Sequence, residues 1–500
     1  MERCVGCFSK DEEIVCFPCN NKKPKILTSL YSAWMVVLFF IVLLFCGLLF
    51  SNSSVVSNIT TTLTNFASTT QEQTTIPFTC NPANLTCPST NITSHTLPPS
   101  SSCPEYFRWI HEDLRPWAET GITEEAVLRA KKEAAFRLII SNGRAYIDLY
   151  HHVFQTRDIF TIWGILQLLQ RYPGRVPDLD LMFNCEDMPV VRAADYKAVN
   201  APIPPPLFRY CKDDTTVDIV FPDWSFWGWI EVNIKPWEVL MKEIKQENEK
   251  LKWVDRLPYA YWRGNADVAA TRHNLLSCNV SKDHEWNARV YRQNWYKETR
   301  QGFKESNLAK QCTHRYKIYI EGRSWSVSEK YILACDSPTL FVSTRYHDFF
   351  TRGLIPGKHF WPIPSNDKCR SIKFAVDWGN SHQKEAQELG KTSSSFMREQ
   401  LSMDYVYDFM LHLLTEYSKL LKYKPVVPPT AVEYCMETMA CTRKGLEQQF
   451  MLDSMVKSPS DRGPCAMPPP YDPGQLQDFL TMKANATKKI EELQKNSLQH

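Results

Sequence analysis

Neither sign of charge dominates this chain. Its 58 Lys and Arg stand against 55 Asp and Glu, a net charge of +3 over 500 residues. No long basic stripe is present, so nucleic acid has no electrostatic footprint here and is not an expected partner. There is no internal repeat. The chain has no Gly-X-Ser-X-Gly elbow, no His-Glu-X-X-His and no Walker A loop, and nothing in it marks a nicotinamide or flavin site. The closing residues, NSLQH, are not a retrieval signal of the Lys-Asp-Glu-Leu kind. Between Lys25 and Arg108 there is no Lys or Arg at all.

That last gap begins with an uncharged apolar run. Leu27 to Phe50 reads LTSLYSAWMVVLFFIVLLFCGLLF, long enough as a helix to cross a hydrocarbon core of about 30 Å. Lys22, Lys23 and Lys25 precede it, so the positive-inside rule leaves residues 1–26 cytosolic and the remainder lumenal. A cleaved signal peptide is the rival reading. The run is too long for one and lacks a small-residue cleavage site. The expectation is a single-pass type II membrane protein with its body in the Golgi lumen, since residence would rest on the anchor alone.

Two further features agree with a lumenal body. Asn52, Asn58, Asn84, Asn91, Asn279 and Asn485 all head Asn-X-Ser/Thr sequons after the run. Twelve cysteines also follow it, from Cys80 to Cys465, an even number that permits full pairing without revealing the connectivity. The cytosolic Cys4, Cys7, Cys16 and Cys19 form two Cys-X-X-Cys pairs that could bind zinc, be palmitoylated or stay free.

Residues 51–105 are rich in Ser, Thr, Asn and Pro with almost no charge, and read as a glycosylated stalk without a core. Its three cysteines could close small loops or tie the stalk to the body. From Tyr106 the composition becomes aromatic, charged and periodic. Helices are expected at Glu124–Ala135 with Thr123 as N-cap, Asp158–Arg171, Pro236–Trp253, Val327–Cys335, Phe396–Gln400 and Met403–Tyr423. Strands are expected at Asp180–Cys185, Tyr259–Arg263, Tyr316–Ile320 and Leu340–Ser343. Alternation of this kind implies an α/β body over 106–444 with parallel sheets covered on both faces. Lobes of about 106–250 and 251–444 would hold the site in a cleft at the carboxyl ends of the strands. Residues 445–500 read as a polar tail with a short terminal helix.

Four constellations carry chemistry. In NCEDMP (Asn184 to Pro189), an apolar strand delivers Glu186 and Asp187 to its carboxyl edge. A general base for a hydroxyl needs such a fixed carboxylate, although a loop acid paired with an Arg would look the same. In YWRGN, Arg263 and Gly264 end a strand ahead of a helix bearing Arg272. In EGRSWSVSEK, Gly322, Arg323, Ser324, Trp325, Ser326 and Ser328 join a strand to a helix. Free N–H groups at a helix start, with nearby Arg, suit a diphosphate, and an ordinary βα turn with a surface Arg is the plainer alternative. In FPDWSFWGW, Trp224, Ser225, Phe226 and Trp227 offer aromatic faces and a hydroxyl to a sugar, or form core. A fifth pattern, Asp178-Leu179-Asp180, has the Asp-X-Asp form that holds a divalent cation on a diphosphate. It precedes its strand, on the wrong edge of the sheet.

These motifs, in this order, resemble glycosyltransferase family 90, which includes the Rumi-like protein O-glucosyltransferases and the capsule-associated xylosyltransferases. The match runs from about Arg108 to Met439, and the phrasing looks most like the plant-type membrane-anchored branch. The resemblance implies a GT-B-like fold of two Rossmann-like lobes and a metal-independent, inverting transfer from a UDP-sugar. It puts the base at Asp187 and UDP at Arg263, Gly264, Gly322, Arg323, Ser324, Trp325, Ser326 and Ser328. It puts donor or acceptor sugar near Trp224, Ser225, Phe226 and Trp227. No cofactor is implied. The acceptor would be a glycoprotein or polysaccharide hydroxyl. Rumi-like members carry an Arg where Ser328 stands, and Arg323 could compensate. The alternative is a catalytically silent, carbohydrate-binding or scaffold protein of the Golgi.

Overall fold

Asn142 and Gly143 both adopt positive φ, 51° and 71°, the geometry of a two-residue hairpin turn. They join Phe136–Ser141 (β1) to Arg144–Leu149 (β2) as an antiparallel pair. The amide of Asn142 donates to Asp178 Oδ1 at 2.8 Å, which pins the turn. Leu179–Phe183 (β3) pairs antiparallel with β1, and then Leu207–Arg209 (β4) and Ile219–Val220 (β5) add in parallel.

The second sheet is parallel throughout. Its strands are Leu257–Gly264 (β6), Ala288–Arg292 (β7), His314–Ile320 (β8), Thr339–Val342 (β9) and Trp361–Ile363 (β10), in the order β10-β9-β8-β6-β7. Val432–Tyr434 (β11) returns to the first sheet, whose order is β11-β2-β1-β3-β4-β5. The α/β class holds, but the first sheet is mixed. A tight hairpin allows neighbouring antiparallel strands, whereas parallel neighbours need a crossover.

The structure, a computed structural model, describes residues 8–10, 13–15, 76, 78–80, 85–88, 98–99, 101–198 and 200–497. The candidate span 27–50, the cluster Cys4, Cys7, Cys16 and Cys19, and the sequons at Asn52, Asn58, Asn84 and Asn91 lie outside these residues. Among the described residues no helix is long and apolar enough to cross a membrane. The chain divides into Met1–Glu72, in which Phe8–Lys10 pairs antiparallel with Glu13–Val15, and Gln73–His500, which holds both large sheets.

Helices cover the sheets as the apolar periodicity requires. Glu124–Arg129 (α1) starts at Thr123, whose hydroxyl accepts from Ala126 N. Arg157–Arg171 (α2) buries Phe160, Trp163, Leu166 and Leu168. Trp237–Lys250 (α3) starts immediately after Pro236. The helices after β6 and in the loop after β8 are short, Ala270–Leu275 (α4) and Ser328–Leu333 (α5). Lys368–Ser381 (α6), Gln383–Glu399 (α7) and Met403–Leu420 (α8) follow. Buried apolar side chains form two clusters, the larger around the first sheet and the smaller around β6–β10.

The segment beyond Gly445 continues the same fold. Phe450, Met451 and Cys465 are buried in it, and its last helix, Pro473–Ser497 (α9), has 25 residues. Three disulfides tie the end of the Ser/Thr-rich stretch to it or to the residues just before it: Cys80–Cys441, Cys87–Cys435 and Cys103–Cys465. Cys278–Cys369 and Cys312–Cys335 fasten the second sheet's surroundings. Full pairing does not occur, because Cys185 and Cys211 are free and buried.

One buried group works against the fold. Lys317 lies inside β8 at 3% exposure, its Nζ donating to Gln311 O at 2.8 Å and sitting over the Tyr261 ring. Burial drives its ammonium down to about 7. The unfolded chain keeps this proton up to a pKa of about 10.4, so the group makes stability rise with pH between those values. Lys317→Met is expected to raise the melting temperature most at pH 6 and progressively less toward pH 10. A pH series of thermal melts checks this, and an equal shift at every pH contradicts it.

Candidate active site

The parallel strands of both sheets deliver their carboxyl ends to one region. After β3, Asn184 accepts from Glu186 N through Oδ1 at 2.7 Å, and this side-chain turn reverses the chain. Asp187 then points outward with its side chain 30% exposed. After β4 come Tyr210 and Cys211, and after β5 come Asp223 and Trp224. From the second sheet, the loop after β8 (Glu321 to Val327) reaches across. Ser324 Oγ donates to the Asp187 carbonyl at 2.7 Å, and Cys211 Sγ approaches the same oxygen at 3.3 Å. The expected acid and the expected phosphate loop are therefore in direct contact.

Asp187 is held from behind by a residue that the motifs do not flag. Arg157, the first residue of α2, is 5% exposed and binds Asp187 Oδ1 at 2.9 Å and Cys185 O at 3.1 Å. Its guanidinium lies 4.6 Å from the Trp224 ring centroid. One carboxylate oxygen is thus anchored, and Oδ2 has no partner among the described residues. A base for a hydroxyl needs this combination of a fixed group and a reachable lone pair. No local pattern marks Arg157, since a lone Arg at a helix start is commonplace.

The loop after β8 is organised by Arg272 of α4. This side chain, 9% exposed, donates to Glu321 O (2.9 Å), Ile320 O (3.1 Å), Ser326 Oγ (2.9 Å) and Asn265 O (3.4 Å). Burial lowers its pKa to about 10, so it stays charged at neutral pH. Ser326 N donates to Tyr319 Oη at 3.1 Å, and Ser326 and Ser328 share a 2.8 Å hydroxyl contact. At Gly322 a Cβ would lie in ordinary contact, 3.6 Å from Arg272 Nη2. Arg323 is exposed and forms no ion pair among the described residues. Burial raises Glu321 to about 7 even though it accepts from Arg345 N and Tyr346 N. This carboxyl is therefore half-protonated near neutrality, which limits its repulsion of an anion.

Other expected residues are placed differently. Arg263 turns to Glu305, reaching its carbonyl at 2.8 Å and its carboxylate at 3.1 Å. A Cβ on Gly264 would come within 2.6 Å of the Trp262 ring, so packing alone explains this glycine. Arg263 does share a water-sized cavity of about 30 Å³ with Ser328, Tyr261 and Tyr331. Trp224, Ser225, Phe226 and Trp227 are buried to 1% exposure or less. Of these, Trp224 reaches the site, its ring 6.1 Å from that of Trp325. Ser225 instead accepts from Lys330 Nζ at 2.7 Å and Tyr331 Oη at 3.1 Å, within a buried network that includes Asp223.

The Asp-X-Asp pair has other work. Asp180 is fully buried and forked by Arg137 at 2.7 and 2.6 Å, and it also accepts from Tyr423 Oη at 2.8 Å. Asp178 caps the hairpin turn. Both sit at the amino end of β3, the opposite edge from Asp187. Asp180's carboxylate is taken up by Arg137 and Tyr423, and Asp178 Oδ1 by the Asn142 amide.

A family model described as Glycosyl transferase family 90 matches residues 98–494. The human Protein O-glucosyltransferase 1 is 24% identical over 343 residues, covering 65% of this chain and 82% of its own. The O-glucosyltransferase rumi of Drosophila melanogaster is 23% identical over 344 residues, covering 65% and 80% respectively. The Protein O-glucosyltransferase 1 of Bos taurus is 24% identical over 345 residues, again covering 65% and 82%.

Proposed function

The chain belongs to glycosyl transferase family 90 and is a glycosyltransferase, and from that premise we propose that it moves a sugar from a UDP-sugar to an acceptor hydroxyl by an inverting, metal-independent route. The donor sugar on this reading is glucose or xylose; the O-glucosyltransferase names of its relatives favour glucose. The acceptor is a glycoprotein or polysaccharide, met in the Golgi lumen by a body anchored through residues 27–50. A GT-B-like cleft between two lobes is part of the same proposal.

One observation carries it. Ser324, in the loop held by a buried cation, contacts the backbone of Asp187, a strand-end acid with one carboxylate oxygen anchored by Arg157 and the other free among the described residues. In the proposed step Asp187 Oδ2 takes the acceptor's hydroxyl proton as its oxygen bonds to the anomeric carbon. The bond from that carbon to the UDP oxygen breaks on the opposite face, and its electron pair leaves with UDP. Negative charge growing on the diphosphate meets Arg272 and the loop around Gly322 to Ser328, where preorganised donors are worth most.

The test is a UDP-release assay of the purified chain over a panel of UDP-sugars, with and without a chelator. Release from one donor, undiminished by the chelator, is expected. Loss of release on chelation overturns the metal-independent route, and no release from any donor overturns UDP-sugar use.

A further inference from the structure

The sequons at Asn279 and Asn485 fall among the described residues, and the fold treats them differently. Asn485 lies inside the 25-residue helix α9. Asn279 lies on the loop that leads from α4 to β7. A sequon that carries a glycan belongs on a surface loop, which singles out Asn279.

The side chain of Asn279 has its oxygen fixed and its nitrogen free. Strand β7 ends its sheet, and its ladder to β6 alternates: Asn287 O accepts from Ala260 N at 2.8 Å, and Gln293 N donates to Gly264 O at 2.7 Å. Val290 is out of phase with both, so its N–H faces the outer edge. There Asn279 Oδ1 accepts from it at 3.1 Å. The edge amide is thereby satisfied through oxygen alone, and Nδ2 has no partner among the described residues. An aspartate would accept this bond equally well, so capping the edge gives no reason for an amide here.

The loop leaves room for a bulky group. Residues 280–285 are all exposed. Ser281, the hydroxyl residue of the sequon, turns the chain by accepting from Asp283 N at 3.3 Å and His284 N at 3.1 Å. The preceding residue, Cys278, is joined to Cys369, and disulfides persist in oxidising compartments such as the secretory lumen.

We infer that Asn279 carries an N-linked oligosaccharide. Its donor is an oligosaccharide carried on a lipid diphosphate, supplied with its transferase by the cell before the loop closes. Nδ2 bonds to the anomeric carbon of that oligosaccharide and releases one proton. The bond from this carbon to the diphosphate oxygen breaks, and its electron pair leaves with the lipid diphosphate. The inference rests on the lumenal body proposed above and is independent of the chemistry assigned to Asp187.

The experiment is peptide mapping by mass spectrometry on the full chain made in glycosylating eukaryotic cells. Peptide N-glycosidase in water enriched in the heavy oxygen isotope turns a glycan-bearing Asn into a labelled Asp. Label is expected at Asn279 in the wild type and in Ser281→Thr. Ser281→Ala keeps Asn279 and its bond to Val290, and its label should fall at least about tenfold. Asn279→Asp keeps the acceptor for Val290 N and should migrate on a gel as Ser281→Ala does, lighter than wild type by one glycan. An unlabelled Asn279 beside a labelled Asn485 or stalk sequon overturns the inference and leaves the lumenal body standing. No label at any sequon overturns both. Label at Asn279 that forms without the glycosidase, or persists undiminished in Ser281→Ala, is deamidation and overturns the inference.

Discussion

Asp187→Asn is expected to lower sugar transfer by about 10²- to 10⁴-fold, the usual worth of a positioned general base, while UDP affinity changes little. The reasoning starts from the anchor. Arg157 donates to Asp187 Oδ1, and an asparagine can present its carbonyl oxygen in the same place. The backbone carbonyl that accepts from Ser324 Oγ is untouched. Geometry therefore persists, and what disappears is the lone pair at Oδ2 that would take a proton. Turnover by UDP-release assay and affinity by calorimetry separate the two effects. A variant with near wild-type turnover removes Asp187 from the role of base.

The second large effect is expected at Arg272. Replacing it by Leu strips hydrogen bonds from the carbonyls of Ile320 and Glu321 and from the Ser326 hydroxyl in one change. Bonds from a charged donor are worth about 1.5–3 kcal/mol each, so about 3 kcal/mol or more of stability should go. UDP binding should weaken by about 100-fold, because the loop loses both its shape and its cation. Arg272→Lys retains a charge without the fork and should restore binding only in part, since one ammonium cannot span these acceptors. Full UDP affinity in Arg272→Leu would show that the diphosphate is held elsewhere.

Much of the body could be read from local pattern. The run from Asp180 to Phe183 is uninterruptedly apolar after its first residue, and Leu179–Phe183 is indeed a buried strand. The expected helix Asp158–Arg171 differs by one residue from Arg157–Arg171. The hairpin Phe136–Leu149 escapes the pattern, because Leu138, Ile139 and Ile140 are all buried in β1 and blur the alternation of a strand with one wet face. Its signal was Asn142-Gly143. Helix α7 is mostly polar, and only its end, at Phe396 and Met397, is visible as apolar sequence.

The site was legible where one segment carries its own cue. Asp187 follows an apolar strand, and the Gly322 to Ser328 loop follows another. What joins them is a contact between residues 137 apart in the chain, Asp187 and Ser324, which no local pattern encodes. Arg157 is invisible for the same reason. The run Trp224 to Trp227 has a composition shared by sugar sites and cores, and only burial separates the two: Ser225 and Trp227 are fully enclosed. Arg263 has the residue type expected at a phosphate, and its ion pair with Glu305 across 42 residues is another contact that no local pattern encodes.

The most direct test of UDP-sugar transfer at this site is a crystal structure of the chain with UDP bound. The diphosphate should rest on the loop from Gly322 to Ser328, within reach of Arg272, with its terminal phosphate facing the free oxygen of Asp187 across space for one sugar. UDP bound away from that loop, or with Asp187 turned from it, would contradict the assignment.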